Sequence, residues 1–252
     1  LSALTLNNIL TNKKDSKKFN IDYVCVFGTH GKFFYSKFIN AKKFLITGSI
    51  KNNLFKKNKN INNTIAYLSQ FRLNTDKKMR VINTKKYEKF FFENLKKYCR
   101  NKKYKLSVIS SNIKNLKKEK FYYDKIIGKE NYQFLYKKEW SSSYKYSLKY
   151  DYFITHSSTL GYELMARNKR VVFAHEYEDR IKSKDFIQAF YSKNYNGNFW
   201  TNTKNPKKFK DTLDHTFYCS KTEFEKNKLF FISPLVVYKK DNYVFNNLIT
   251  EI

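Results

Sequence analysis

From residue 64 to residue 174, short apolar runs alternate with stretches of helical periodicity. No other feature of the chain constrains its fold as strongly. The runs at 64–69, 105–110, 131–136, 152–155 and 170–174 have strand length. Between them, 84–100, 115–127, 141–150 and 158–167 read as helices. The first carries Tyr87, Phe90, Phe91, Leu95 and Tyr98 at helical spacing. Two more helices are expected at 206–217 and 222–230. Parallel strands need crossover connections, and helices that cross over cover both faces of the sheet. The expected fold class is α/β: a Rossmann-like, doubly wound parallel sheet.

Ahead of this region stand two further apolar runs, 21–27 and 43–47, each followed by a glycine (Gly28, Gly48), with a short helix expected over 32–39. Residues 51–63 are polar and low in complexity, which predicts a linker. The expected organisation is therefore a partial α/β segment over 1–50, a linker over 51–63 and the Rossmann-like domain over 64–252. The first residue is Leu1, and no signal-peptide pattern follows it. The chain is expected to begin inside a longer protein.

Lys and Arg number 51 against 21 Asp and Glu, a formal charge of +30. A basic chain rich in aromatics can bind nucleic acid, by neutralising phosphates and stacking bases. The composition favours another cause. Lysines number 45 and arginines 6, and Lys, Asn, Ile, Phe and Tyr make up 136 of the 252 residues. These residues have AT-rich codons, so the charge reads as an AT-rich genome written onto solvated positions, and no nucleic-acid partner is expected. A basic surface also suits contact with an anionic membrane face. No apolar run reaches the roughly 18 residues of a membrane span. Cys25, Cys99 and Cys219 are too few and scattered for a disulfide framework or a Cys-based zinc site, and the four His show no metal spacing. A reducing, cytoplasmic compartment fits this cysteine usage, and the basic surface suits a peripheral place at the inner membrane.

Ligands of open parallel sheets bind beyond the carboxyl ends of the strands. The notable loop there follows the run Tyr152-Phe-Ile-Thr155, where His156-Ser157-Ser158-Thr159 leads into a helix with Gly161 and Glu163 near its start. Its first amides lack intrahelical partners and carry the positive end of the dipole. Three hydroxyls add donors, Gly161 permits close approach, and Glu163 lies where a carboxylate could take ribose hydroxyls. A diphosphate suits such a place. The same residues also read as an ordinary N-cap and capping box. No GxGxxG or GxxxxGK[ST] occurs. Ser69-Gln70-Phe71-Arg72 follows the first strand of the domain, and Arg72 could fork onto a phosphate. His175-Glu176 with Asp179-Arg180, and His30 between Gly28 and Gly31, are candidates for acid–base work. Asn196 to Asn202 reads as a turn into aromatics that either packs the sheet end or covers a ligand.

The ordered set Phe44-Leu-Ile-Thr-Gly-Ser-Ile-Lys-Asn-Asn53, Ile65-Ala-Tyr-Leu-Ser-Gln-Phe-Arg72, Thr159-Leu-Gly-Tyr-Glu-Leu-Met-Ala-Arg-Asn-Lys-Arg-Val171 and Gly197-Asn-Phe-Trp-Thr-Asn202 resembles bacterial O-antigen and capsule biosynthesis proteins with a GT-B glycosyltransferase-like fold. The resemblance covers most of the chain from about residue 20. It implies that 64–252 is the C-terminal half of a GT-B fold, which holds a nucleotide-sugar donor. Ser157, Ser158, Thr159, Gly161 and Glu163 would bind that donor, with Ser69 and Arg72 across the cleft. It implies sugar transfer to a glycan or lipid-linked acceptor, with no cofactor and no metal. The segment before residue 64 is too short for a full acceptor domain, so the catalytic base is not assigned beyond His30 and His175. A GT-B-related nucleotide-sugar epimerase, a CDP-polyol phosphotransferase and a basic nucleic-acid-binding module are the alternative readings.

Overall fold

The structure is a computed structural model that describes residues 19–56, 61, 63–71, 84–111, 113–174 and 196–251. The chain divides into two units. Residues 19–54 and 233–251 belong to the first, and Phe55–Ile232 forms the second.

In the second unit the alternation of apolar runs and helices becomes a sheet. Strands β3 (Thr64–Leu68), β4 (Lys105–Ile109), β5 (Gln133–Leu135), β6 (Tyr152–Thr155), β7 (Arg170–Ala174) and β9 (Trp200–Thr201) are parallel, in the order β5-β4-β3-β6-β7-β9. The two-residue β8 (Asn196–Gly197) closes the edge antiparallel to β9. Residues along each strand alternate between the two faces. Ile65, Tyr67, Leu106, Val108, Ile154, Val172 and Ala174 bury under helices α3 (Thr84–Lys102), α4 (Leu116–Ile127) and α7 (Pro206–Tyr218), with Phe91, Leu95, Tyr123, Ile127, Phe209 and Leu213. The opposite face buries Phe153, Val171 and Phe173, with Leu164 and Met165 of α6 (Thr159–Ala166). Between β5 and β6 lies α5 (Ser142–Ser147). After α7 comes α8 (Lys221–Asn227), and the helix expected over 222–230 gives way at Lys228–Ile232 to a π-helical turn. That turn buries Ile232 and leaves Leu229 and Phe230 outside. The Asn196–Asn202 turn packs the sheet end, with Phe199, Trp200, Thr201 and Asn202 buried.

The first unit pairs β1 (Phe19–Val26) with β2 (Ile39–Ile46) in parallel, around α1 (Thr29–Tyr35). The helix expected over 32–39 therefore starts and ends earlier, and Ile39 opens β2 opposite Phe19. The linker expected from residue 51 begins as structure. Ser49 caps α2 (Ile50–Asn53), and Asn52 and Asn53 are buried. Asn53 Nδ2 donates to Thr47 O at 2.9 Å and to Asn242 Oδ1 at 2.8 Å, and its Oδ1 accepts the Lys239 N–H at 3.0 Å. Asn242 and Lys239 belong to the C-terminal stretch, which ends in α9 (Tyr243–Glu251). The 64–252 domain read from the sequence thus differs from this division, in which residues 233–251 group with the first unit. Gly48 shows the packing that brings them there. It adopts φ +70°, and a Cβ on it would lie 2.1 Å from Val237 O.

Candidate functional site

The strand order locates the site before any side chain is considered. Numbered along the sheet, β3, β4 and β5 run one way from the centre and β6, β7 and β9 the other, which is the dinucleotide-fold order 3-2-1-4-5-6. The reversal falls between β3 and β6, which are direct neighbours. At such a switch point the loops leaving adjacent strands diverge and open a crevice at the carboxyl edge. The loops leaving β3 and β6 are Ser69-Gln70-Phe71 and His156-Ser157-Ser158.

Hydrogen bonds join these loops. Thr155 Oγ1 donates to Leu68 O at 3.2 Å and accepts the Ser158 N–H at 3.3 Å. Gln70 Oε1 accepts the Ser157 N–H at 2.6 Å, and Gln70 Nε2 donates to Ser157 Oγ at 3.2 Å. Gln70 lies within the Ser69–Arg72 candidate, in which the sequence points to roles only for Ser69 and Arg72. Its position directly beyond the β3 carboxyl end was the available signal.

Ser157 and Ser158 are half-buried and Thr159 is exposed, so solvent reaches the start of α6. Ser158 is the N-cap residue by position, yet its side chain makes no capping bond. The capping-box alternative is therefore not realised. Glu163 lies five residues after the N-cap and is 8% exposed on the buried side of α6. Gly161 faces the sheet. A Cβ there would lie 3.0 Å from two Phe173 ring carbons and 3.2 Å from Thr155 Cγ2. The geometry gives Gly161 a packing role, the close approach of helix to strand.

Ser69 departs from its expected place across the cleft. Its hydroxyl donates to Glu119 Oε1 at 2.5 Å, lies 2.8 Å from Tyr123 OH and accepts the Phe71 N–H at 3.2 Å. One donor and two lone pairs are then all used, which leaves no capacity for a ligand. Glu119 is fully buried and also accepts the Ser111 N–H at 2.8 Å. Ser69 thus ties the ends of β3 and β4 to α4.

His156 sits beneath the loop. Its Nδ1 lies 2.6 Å from Ala174 O, which makes Nδ1 the protonated nitrogen and links the ends of β6 and β7. Tyr67, Tyr87 and Phe91 surround the ring edge-on, and Nε2 lies 3.8 Å from Glu88 Oε1. Burial pushes its pKa down to about 4, so the imidazole is neutral at pH 7.

The basic string after α6 is structural. The Arg167 guanidinium donates to Phe55 O, and the buried Lys169 Nζ donates to Tyr150 O at 2.5 Å and Asp151 Oδ1 at 2.7 Å. Arg170 donates to Thr216 O and Cys219 O, each at 3.0 Å. Arg72, His175, Glu176, Asp179 and Arg180 lie outside the described residues. His30 is exposed at the start of α1, and its N–H donates to Pro234 O at 2.8 Å. The sequence spacing shows no metal motif, yet the fold brings His215, Cys219 and Glu223 together at the other edge of the sheet. Among the described residues, no helix is long and apolar enough to cross a membrane.

Comparison with known proteins agrees with the fold. A structure of the wall teichoic acid polymerase TagF, a single-residue variant soaked with CDPG, matches with a TM-score of 0.55 at 13% identity, covering 91% of this chain and 56% of that one. A second TagF variant matches at 0.50 and 15% identity, covering 91% and 57%. A crystal structure titled "putative UDP-N-acetylglucosamine 2-epimerase" from Listeria monocytogenes matches at 0.50 and 13% identity, covering 82% and 52%. The chain thus spans about half the length of these structures. The likeness is one of GT-B-type, Rossmann-like architecture. No curated protein matches the sequence. Residues 4–252, nearly the whole chain, match one family model, and the chain belongs to that family, described as "putative O-antigen biosynthesis protein".

Proposed function

We propose that the chain binds a nucleotide-linked sugar donor at the carboxyl edge of its larger sheet and serves glycosyl transfer in surface-polysaccharide synthesis. The observation that carries this reading is the switch point between β3 and β6, where Gln70 meets Ser157 beside the uncapped start of α6. A diphosphate there would face the positive end of the helix dipole, with the Ser157, Ser158 and Thr159 hydroxyls as donors. The same groups would stabilise the leaving phosphate as the sugar departs. Glu163 is the proposed ribose contact and Arg72 a further phosphate ligand. The acceptor hydroxyl needs a base, for which His30 and His175 are the proposed imidazoles.

Family membership in O-antigen biosynthesis supports a surface glycan or its lipid-linked precursor as acceptor. Leu229 and Phe230 are 64% and 73% exposed beside Lys221 and Lys226, a pairing of apolar and cationic groups that suits an anionic bilayer surface.

Isothermal titration with UDP-, GDP-, CMP- and CDP-linked donors tests the reading. One donor class is expected to bind, with about tenfold weaker affinity in a Ser157→Ala, Ser158→Ala double variant, at roughly 1 kcal/mol or somewhat less per lost hydrogen bond. A folded protein that binds none of them overturns it. The CDPG-soaked polymerase and the epimerase-titled structure favour a second reading, polyol-phosphate transfer or epimerisation at the same crevice. Product analysis separates the three reactions.

A further inference from the structure

At the amino edge of the sheet, where Arg170 opens β7, three ligand-type side chains converge. His215 lies in the last turn of α7, Cys219 is its C-cap, and Glu223 lies in the first turn of α8. Successive steps of four residues carry one helical face across the break between the two helices. His215 nitrogen, Cys219 Sγ and a Glu223 carboxylate oxygen all lie within 4.8 Å of one another.

Two details of this cluster suit a metal. First, His215 Nε2 lies 3.3 Å from Glu223 Oε1, yet it is enclosed and makes no hydrogen bond. Two atoms bound to one tetrahedral zinc at about 2.0–2.2 Å stand roughly 3.4 Å apart. The observed separation fits two ligands on one metal. Second, the sulfur is already oriented. Arg170 Nη1 donates to Cys219 Sγ at 2.8 Å, and the guanidinium is fixed by Thr216 O, by Cys219 O and by the Phe224 ring at 4.4 Å. Outer hydrogen bonds of this kind orient metal ligands.

We infer that His215, Cys219 and Glu223 form a three-ligand site for a divalent transition metal of the zinc class. Imidazole, thiolate and carboxylate together select zinc or cobalt over magnesium or calcium. On binding, the thiol proton passes to solvent, and thiolate and carboxylate balance the two positive charges. The His215 and Glu223 side chains are 33% and 44% exposed, which leaves a fourth position for water. The metal joins the end of α7 to the start of α8. It sits at the edge opposite the proposed donor crevice, so the inference is independent of that function.

Cobalt(II) titration of the full chain tests it. The expected result is a stoichiometric sulfur-to-cobalt charge-transfer band with the visible bands of four-coordinate cobalt, displaced by zinc. The band disappears in Cys219→Ser and persists in Cys25→Ser, which alters an exposed thiol. Affinity falls about tenfold or more in Glu223→Gln and in His215→Gln. No band in the native protein, or a band that survives Cys219→Ser, overturns the inference. If Cys219→Ser does not fold, Glu223→Gln decides, and unchanged cobalt affinity there also overturns it.

Discussion

A histidine with an ordinary pKa near 6.5 is held at about 4 by burial of its ring, against the opposing pull of the Ala174 carbonyl. His156 is therefore neutral when folded and takes up a proton when unfolded throughout the interval between those values. The unfolded state binds more protons there, so stability rises with pH from about 4 to 6.5 and is lost on acidification. The full shift corresponds to roughly 3 kcal/mol, and Glu88, 3.8 Å from Nε2, would reduce it by favouring imidazolium. Urea denaturation between these pH values is expected to show the slope in the native chain and not in His156→Gln. Asn53 is the second residue with an outsized part. Asn53→Ala leaves Thr47 O, Asn242 Oδ1 and the Lys239 N–H without their partner. At about 1 kcal/mol or more per abandoned group, a loss of roughly 2–4 kcal/mol is expected by chemical denaturation. Nothing local marks Asn53 as buried, since it sits in an Asn- and Lys-rich run that reads as linker.

At the level of elements, the strands and the long helices were legible because periodicity is a short-range property. Tyr87, Phe91, Leu95 and Tyr98 bury on one face of α3, as their spacing predicts. The short elements were not. α2 spans four residues and carries no apolar stripe, so it is stabilised by the Ser49 cap and by distant partners. In α6 the structure adds a packing role for a residue that the sequence singles out for another reason. The sequence points to Gly161 for ligand approach, and the structure shows in addition that its bare Cα faces Phe173. Phe173 is itself enclosed by Tyr162 and Phe199 and cannot easily yield. Gly161→Ala gains up to about 1 kcal/mol of helix propensity and loses about 1–3 kcal/mol to overpacking. Net destabilisation is expected in thermal melts, and a stabilised variant would show that the helix can move off the strand.

For the whole molecule, apolar burial is unevenly divided. The main aromatic cluster, from Ile65 to Phe217, lies entirely within Phe55–Ile232. Among the described residues, the first unit buries Val26, Val236 and Leu248 as its large aliphatics and exposes Ile21, Tyr23 and Phe33. Parallel strands are usually covered on both faces, and among the described residues of this pair Val26 alone is a buried hydrophobic. A fragment of Phe55–Ile232 alone is expected to unfold cooperatively, with dispersed NMR resonances. A molten fragment would mean that its core depends on the rest of the chain. By itself the sequence determined the α/β class, the strand and helix segments, and the hydroxyl-rich loop that opens α6, because each follows from local periodicity, capping chemistry and turn residues. Only tertiary structure decided that β3 lies beside β6, that Gln70 rather than Ser69 meets Ser157, that the C-terminal stretch joins β1 and β2, and that His215, Cys219 and Glu223 meet. The physical reason is that local propensity sets what each segment becomes. Which segments become neighbours is set by how the whole chain buries its apolar faces, across separations that no local pattern records.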